Sequence, residues 1–269
     1  MSDHPMKRAC YFCQGTEPLT KEHAWPQWIY EAFPRIDPAG STRVRDSAGS
    51  VDRHWRHSRT TGVVVRSICR SCNTGWMSRL ENAVQSSLTP LILGGTLTIT
   101  PVLAELASRW SLKAAMVFDS IHRDWPFFTV DERLVFAKSE TLPATLGIAV
   151  SLGRYEGTFT CQHMQSTYKF RFRNSKEKNR TVEVDGRVDT MTAGHLLLQV
   201  GSLRLPEDVP INSIRFGIAP HWSAYSRWIR PFRCPLTLGP STIRAIEDDS
   251  FRDYCERWMP NARSGHSSL

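Results

Sequence analysis

Four cysteines in the first third of the chain have the spacing of metal ligands. They form two Cys-x-x-Cys pairs, Cys10 with Cys13 and Cys69 with Cys72. Thiols two residues apart in a tight turn reach one ion together, and four thiolates supply the tetrahedral set that Zn²⁺ prefers. The pairs therefore predict one structural zinc that ties the start of the chain to the segment after Cys72. The alternative is that all four are unligated core cysteines.

An acid and an imidazole lie next to each other between the two pairs, at Glu22 and His23. In an extended strand, neighbouring side chains point to opposite faces, so one can bind a metal ion while the other faces a substrate. On these two residues alone, an ordinary structural or surface role is the usual one, and a catalytic role is the alternative.

The order of these residues resembles the zinc-bearing branch of the HNH endonucleases, which are ββα-metal nucleases. The resemblance spans about residues 10 to 85 and consists of Cys-x-x-Cys, then Thr-Lys-Glu-His-x-x-Pro-x-Trp, then Cys-x-x-Cys-Asn-x-Gly-Trp-Met-x-x-Leu-Glu. In that family, two strands and a helix surround a single divalent ion that contacts the scissile phosphate. The fold implied for this segment is a zinc-stapled ββα finger.

The resemblance implies a metal-dependent endonuclease that acts on DNA. It implies that His23 is the general base that activates water, and that Glu22 and Asn73 bind a catalytic Mg²⁺ or Mn²⁺, separate from the zinc held by the cysteines. The chemistry agrees, because a neutral imidazole accepts a proton near neutral pH and an oxygen-ligated divalent ion stabilises charge on a phosphate. For Asn73, a helix N-cap is the alternative.

One position departs from the family pattern. The middle residue, an Asn or His that holds the loop between the two strands, falls at Val64, and there is no Asn from residue 24 to residue 68. His54 or His57 is the candidate substitute. The departure supports a competing function, a non-catalytic zinc-containing protein that binds nucleic acid. A third alternative is an architectural zinc in a protein that binds other proteins.

Basic residues are concentrated between the cysteine pairs. The chain has a net charge of +8, and eight arginines but only two acidic residues lie between Arg43 and Arg79. Arginines beside a phosphodiester site bind a DNA backbone with release of counterions, whereas a solvated loop is the alternative. The predicted DNA contacts are Arg53, Arg56, Arg59, Arg66 and Arg70.

These residues need a strand that ends on the Glu-His pair, a second strand that ends at the second cysteine pair, and a helix that begins near Asn73. Glu81 falls two turns along that helix, where a solvated acid is expected and a role beside the site is the alternative. The side chains predicted to pack in the core or against the rest of the protein are Trp25, Trp28, Trp76, Met77 and Leu80.

The rest of the chain predicts an α+β fold with a mainly antiparallel sheet. A long helix is predicted from about Pro101 to His122, with Thr100 as its N-cap, and a last helix from about Pro240 to Met259. Lys113 lies among apolar residues of the long helix, where its stem is expected to pack and its ammonium to reach water. Strands are predicted at 146–155, 168–173, 181–184 and 195–200.

The predicted organisation has three parts. Residues 1–95 form the HNH-like zinc-stapled unit, residues 96–260 form an α+β domain with no assigned role, and residues 261–269 form a disordered tail. The chain has neither a membrane-length apolar run nor the apolar core of a signal peptide, which predicts a cytoplasmic protein with reduced thiols and no membrane partner. Its oligomeric state is open.

Overall fold

The N-terminal part of the chain forms a two-stranded antiparallel ribbon followed by a helix. Strand β1 (Leu19–His23) pairs with β4 (Val64–Cys69), and helix α2 (Arg70–Cys72) begins directly after β4. The helix continues through a π-helical turn (Asn73–Met77) into α3 (Ser78–Ile92). A short helix α1 (Gln27–Ala32) follows β1. The computed structural model describes residues 9–32, 40–46, 52–57, 63–121, 126–157, 161–173, 181–204, 206, 224–230 and 235–256.

An eight-stranded sheet forms the largest element of the fold. Its strands are β2 (Gly40–Asp46), β3 (Asp52–His57), β6 (Leu146–Tyr155), β7 (Cys161–Arg173), β8 (Thr181–Ala193), β9 (Leu196–Arg204), β10 (Ser226–Arg230) and β12 (Ala245–Ile246). Seven of them follow the order β10-β6-β9-β8-β7-β2-β3, and β12 pairs with β6 at the same end. Neighbours are antiparallel except β2 with β7 and β12 with β6.

The predicted α+β class and the mainly antiparallel sheet are confirmed. A second small sheet pairs β5 (Leu97–Ile99) with β11 (Leu236–Leu238). The basic segment between the two cysteine pairs was predicted to contact DNA, with a solvated loop as the alternative, and the structure places two strands of this segment, β2 and β3, in the large sheet, with β3 at the edge. The sequence gives no sign of this placement, because the partner strand β7 begins more than 100 residues later.

Helix α4 (Pro101–Asp119) confirms the long predicted helix and its cap. The Thr100 hydroxyl accepts a hydrogen bond from the backbone N–H of Leu103, and Pro101 occupies the first turn, where its missing N–H costs nothing. Helix α5 (Val130–Ser139) begins with a capping box. Helix α6 (Asp248–Glu256) is shorter than predicted, because residues 239–246 form a turn and strand β12 instead.

Helix α4 is completely buried from Trp110 to Asp119, whereas its first turn is exposed. Trp110 and Phe118 are buried on it, and the ring of Trp25 lies against both. Buried side chains on either side of residue 95 share one hydrophobic cluster. The division into residues 1–95 and 96–260 stays a prediction, and its boundary falls between α3 and β5. In the part of the chain that the structure describes, no helix has the length and apolar character needed to cross a membrane.

A fully buried arginine joins helix α4 to the large sheet. Arg187 on β8 donates to Asp189 at 2.6 and 2.7 Å and also donates to Asp119 at the end of α4. Asp119 accepts a further hydrogen bond from the hydroxyl of Tyr11, and His163 lies 2.9 Å from Asp189. Burial of these charges is tolerated because each has a partner of opposite sign.

We expect the change Arg187→Met to lower the free energy of unfolding by about 3–5 kcal/mol, because it leaves two buried carboxylates without their cation. Urea denaturation at neutral pH measures this loss. The control is Lys169→Met on the neighbouring strand, which removes an exposed cation bonded to Asp185 and should change the stability far less. Similar losses in the two variants would contradict the role given to Arg187.

Candidate functional site

The four predicted ligands come together in one cluster. The Sγ atoms of Cys10, Cys13, Cys69 and Cys72 all lie within 4.8 Å of one another. A tetrahedral zinc with Zn–S bonds of about 2.3 Å needs sulfur atoms about 3.8 Å apart, and the Sγ atoms of Cys13 and Cys69 are 3.6 Å apart. The cluster can therefore hold a metal ion such as zinc, and its donor set is that of a structural site without an open position.

Backbone groups around the first cysteine pair stabilise the thiolate form. The N–H of Cys69 lies 3.3 Å from the Sγ of Cys10, and the N–H of Gly15 lies 3.4 Å from the Sγ of Cys13. A hydrogen bond from the Cys72 thiol is the main reason that the pKa of Cys10 falls to about 4. The pKa values of Cys69 and Cys72 are instead raised, so binding of a metal ion would have to displace protons from these ligands.

The loop between the first two cysteines is anchored to distant elements. The carbonyl of Tyr11 accepts a 2.8 Å hydrogen bond from Arg133 on α5, and the same guanidinium lies 4.0 Å from the centre of the Tyr11 ring. The ring of Phe12 meets Trp76 edge to face with centroids 5.1 Å apart. The metal loop is thus part of the protein core rather than a separate appendage.

Strand β1 ends on the predicted acid–histidine pair, and Glu22 faces the interior. Glu22 is buried, and burial raises the pKa of its carboxyl to about 7 against the opposing charge of Lys113. The side chain of Asn73 lies beside Glu22 and partly offsets this rise in pKa, and it donates a hydrogen bond to the hydroxyl of Thr20 at 3.1 Å. The two residues predicted to bind a catalytic ion are therefore neighbours, although 50 positions separate them.

The N-cap interpretation of Asn73 is wrong. The helix begins at Arg70 with Cys69 in the N-cap position, and Asn73 itself has helical dihedral angles of −63° and −56°. Its side chain turns toward the ribbon instead of capping a backbone N–H. The predicted burial of Trp76, Met77 and Leu80 is confirmed.

His23 lies at the end of β1, next to Glu22 in the chain, and it is half-buried. Its ring meets Tyr30 with centroids 6.2 Å apart, and its Nδ1 atom is buried without a hydrogen-bond partner among the described residues. The residue directly across the ribbon is Val64, the position where the family pattern has an Asn or His. An apolar side chain there leaves the imidazole without a polar group to fix its tautomer.

Sequence reasoning missed two charged members of the site. Lys113 was expected to reach water, but its side chain is 1% exposed, and its Nζ contacts Glu81 and lies 3.7 Å from Glu22 Oε1. Glu81 was expected to be a solvated acid, and this is also wrong. The sequence carried one sign of this ion pair, a single lysine in an apolar stretch of a long helix. A charge buried there needs a partner of opposite sign.

The structure describes the side chains of two of the five arginines predicted to contact DNA. Arg66 on β4 and Arg70 at the start of α2 are exposed. The backbone of Arg53 and Arg56 lies in β3 at the edge of the large sheet, and their side chains lie outside the described residues. Arg59 also lies outside them. The same holds for the side chains of the two histidines considered as substitutes for the middle residue, His54 and His57.

The purified protein should contain about one zinc ion per chain, and Cys72→Ser should lose it. Serine cannot supply a thiolate, so the remaining set is incomplete and the segment that it ties together loses stability. Metal analysis by mass spectrometry together with thermal unfolding checks this. Cys161→Ala is the matched control, because Cys161 is buried in the large sheet and is not part of the cluster. Full zinc content in the Cys72 variant would contradict the assignment.

Replacement of Glu22 should change how stability depends on pH. The pKa of Glu22 is raised to about 7 in the folded chain from 4.5, so its proton favours the folded state at low pH, and this contribution is lost as the pH rises through 7. The unfolding free energy of the wild type relative to Glu22→Gln should therefore fall by up to about 3 kcal/mol between pH 5 and pH 8. Urea titrations of both zinc-loaded proteins measure it, and parallel pH profiles would contradict it.

Comparison with known proteins adds no relative. Searches against protein-family models, curated proteins and solved structures each gave no match. The functional argument for this chain therefore rests on its residues and their geometry.

Proposed function

We propose that this protein is a metal-dependent nuclease that hydrolyses phosphodiester bonds in DNA, with His23 as the general base. The observation that supports this most is the meeting of Glu22 at the end of a strand with Asn73 at the start of a helix. The four-cysteine cluster holds the same strand pair and helix together. These are the parts that the HNH resemblance requires, in the order that it requires them.

The two side chains predicted to bind the catalytic ion carry oxygen donors that suit a divalent ion. Glu22 offers carboxylate oxygens and Asn73 an amide oxygen, which are the hard donors that Mg²⁺ and Mn²⁺ prefer. The ammonium of Lys113 lies 3.7 Å from Glu22, so this carboxylate already has a cation beside it. A bound Mg²⁺ or Mn²⁺ would stabilise the negative charge that develops on the phosphate. Glu22 and Asn73 would hold it.

The base and the ion ligand are on adjacent positions of one strand, so they project to different sides. His23 is half-buried, which leaves part of its ring for water or substrate, whereas Glu22 faces the interior. A neutral imidazole is the usual general base at neutral pH and accepts the proton of an attacking water. The proposed reaction is in-line attack of that water on the phosphodiester.

The proposed substrate follows from the distribution of charge. Arg66 and Arg70 present exposed guanidinium groups on β4 and at the start of α2, next to the site. The arginines at positions 53, 56 and 59 belong to the same basic segment of the sequence. A polyanion is the matching partner. The proposal places the protein in the cytoplasm, where the zinc-binding thiols stay reduced.

A second candidate function is zinc-dependent binding of nucleic acid without cleavage. Val64 favours it, because this residue lies across from His23 and supplies no polar group to the imidazole. Among the described residues, none bonds the Nδ1 of His23, whereas a catalytic imidazole is oriented by a hydrogen bond at its other nitrogen. The two candidates differ in whether phosphodiester bonds are broken.

Supercoiled plasmid incubated with the zinc-loaded protein should be nicked in Mg²⁺ or Mn²⁺ but not in EDTA. We expect His23→Ala to lower the rate by about 100-fold or more, because a general base contributes about that factor. Zinc content and retardation of DNA in a gel should be unchanged in this variant. Agarose electrophoresis over time measures the rate.

The control variant is His195→Ala, which removes a half-buried imidazole whose Nδ1 lies 3.1 Å from the carbonyl of Tyr155, away from the ribbon. It should cleave at the wild-type rate. DNA retardation without cleavage in any divalent metal would establish the binding function instead. Equal cleavage by wild type and His23→Ala would remove His23 from the mechanism.

A further inference from the structure

The cation position beside Glu22 is filled by a group of the chain itself. Lys113 projects from the middle of α4 and is fully buried. Its Nζ atom contacts Glu81 Oε1 on α3 and lies 3.7 Å from Glu22 Oε1 on β1. Three elements that are far apart in the sequence therefore contribute one cation and two carboxylates to a single cluster, and the amide of Asn73 lies beside Glu22.

The balance of charge in this cluster determines how well it accepts a second cation. When both carboxylates are ionised, the cluster has a formal net charge of −1 with Lys113 and −2 without it. A divalent ion at Glu22 would lie within a few ångströms of the ammonium, where repulsion between like charges is strong because the site is shielded from water. The ammonium lies 3.7 Å from Glu22 Oε1, so an ion bound to that oxygen would compete with it directly.

We propose that Lys113 is the resident counter-cation of this site and competes with a divalent ion for Glu22. The proposal deepens the proposed nuclease function and rests on Glu22 as its ion ligand. Lys113 stabilises the ion-free fold by pairing with both carboxylates, and it weakens ion binding by the same interaction. It is a positioning residue, since its buried ammonium touches the ligand and not the substrate.

Binding of Mn²⁺ measures the competition without reference to DNA cleavage. Zinc-loaded full-length protein is titrated with Mn²⁺ at low ionic strength, and free Mn²⁺ is followed by electron paramagnetic resonance. We expect Lys113→Met to bind Mn²⁺ at least about tenfold more tightly than the wild type, because one positive charge has left the cluster. Lys113→Arg keeps the charge and should bind no more tightly than the wild type.

A matched control separates the cluster from general electrostatics. Lys21 is exposed and lies next to Glu22 in β1, so Lys21→Met removes the same formal charge one residue away. It should leave Mn²⁺ affinity within about twofold of the wild type, because exposed charges are screened by water and salt. The double change Lys113→Met with Glu22→Gln should lose the tight site, since the ligand itself is absent.

Zinc content and thermal unfolding show whether each variant is folded. If Lys113→Met does not fold, Lys113→Gln retains hydrogen bonds to the carboxylates without the charge, and the same tightening is expected. Binding of Mn²⁺ by the neutral variants that is no tighter than in the wild type overturns the proposal. So does equal tightening in Lys21→Met.

The outcome is separable from that of the cleavage experiment. If the protein does not cut DNA but the variants show this order of Mn²⁺ affinities, the role of Lys113 as resident cation is supported and the nuclease function is contradicted. If the protein cuts DNA through His23 and wild type and Lys113→Met bind Mn²⁺ equally well, the nuclease function is supported and the role of Lys113 is contradicted.

Discussion

Two charges buried in helix α4 determine how the other elements are arranged around it. The helix is enclosed by apolar side chains, yet Lys113 and Asp119 lie on it with side chains that are 1% exposed. A buried charge without a partner costs several kcal/mol, so each must meet an opposite charge from elsewhere in the chain. Lys113 meets Glu22 and Glu81 from the ribbon and α3, and Asp119 meets Arg187 from the large sheet. Asp119 follows Lys113 by six positions, which places the two charges on different sides of the helix, so α4 joins the ribbon to the sheet.

The same constraint connects the metal cluster to the acidic site. Tyr11 lies in the loop between the first two cysteines, and its hydroxyl donates to Asp119. The cysteine cluster holds the ribbon where β4 ends at Cys69, and Lys113 holds it at Glu22, next to the last residue of β1. The ribbon is therefore fixed at both ends against one helix. Such rigid support keeps Asn73 beside Glu22, although 50 residues of the chain lie between them.

Local patterns in the sequence predicted the parts of this arrangement, and long-range pairing supplied the rest. The two Cys-x-x-Cys pairs predicted the four-cysteine cluster, and Thr100 with Pro101 predicted the start of α4, because these signals act within a few residues. The partners of Lys113 were missed because they lie 32 and 91 positions away, where periodicity carries no information. For the same reason the sequence did not reveal that β2 pairs with β7. The last helix was overextended, because apolar spacing after Pro240 suits a turn and the short strand β12 as well as a helix.

The acid and the histidine of the pair differ in how firmly they are held. Glu22 is fixed by Lys113, by Asn73 and by burial, and this fixes the direction of β1 and so turns His23 to the other face. In the described part of the chain, His23 contacts Tyr30 and lies across from Val64, and neither residue bonds its Nδ1. In the proposed nuclease, the ion ligand is thus set by the fold, whereas the orientation of the base depends on what the imidazole meets when DNA and water arrive. The rate of the proposed reaction then depends on how well the His23 ring is oriented, because general-base catalysis requires an imidazole aligned with the attacking water.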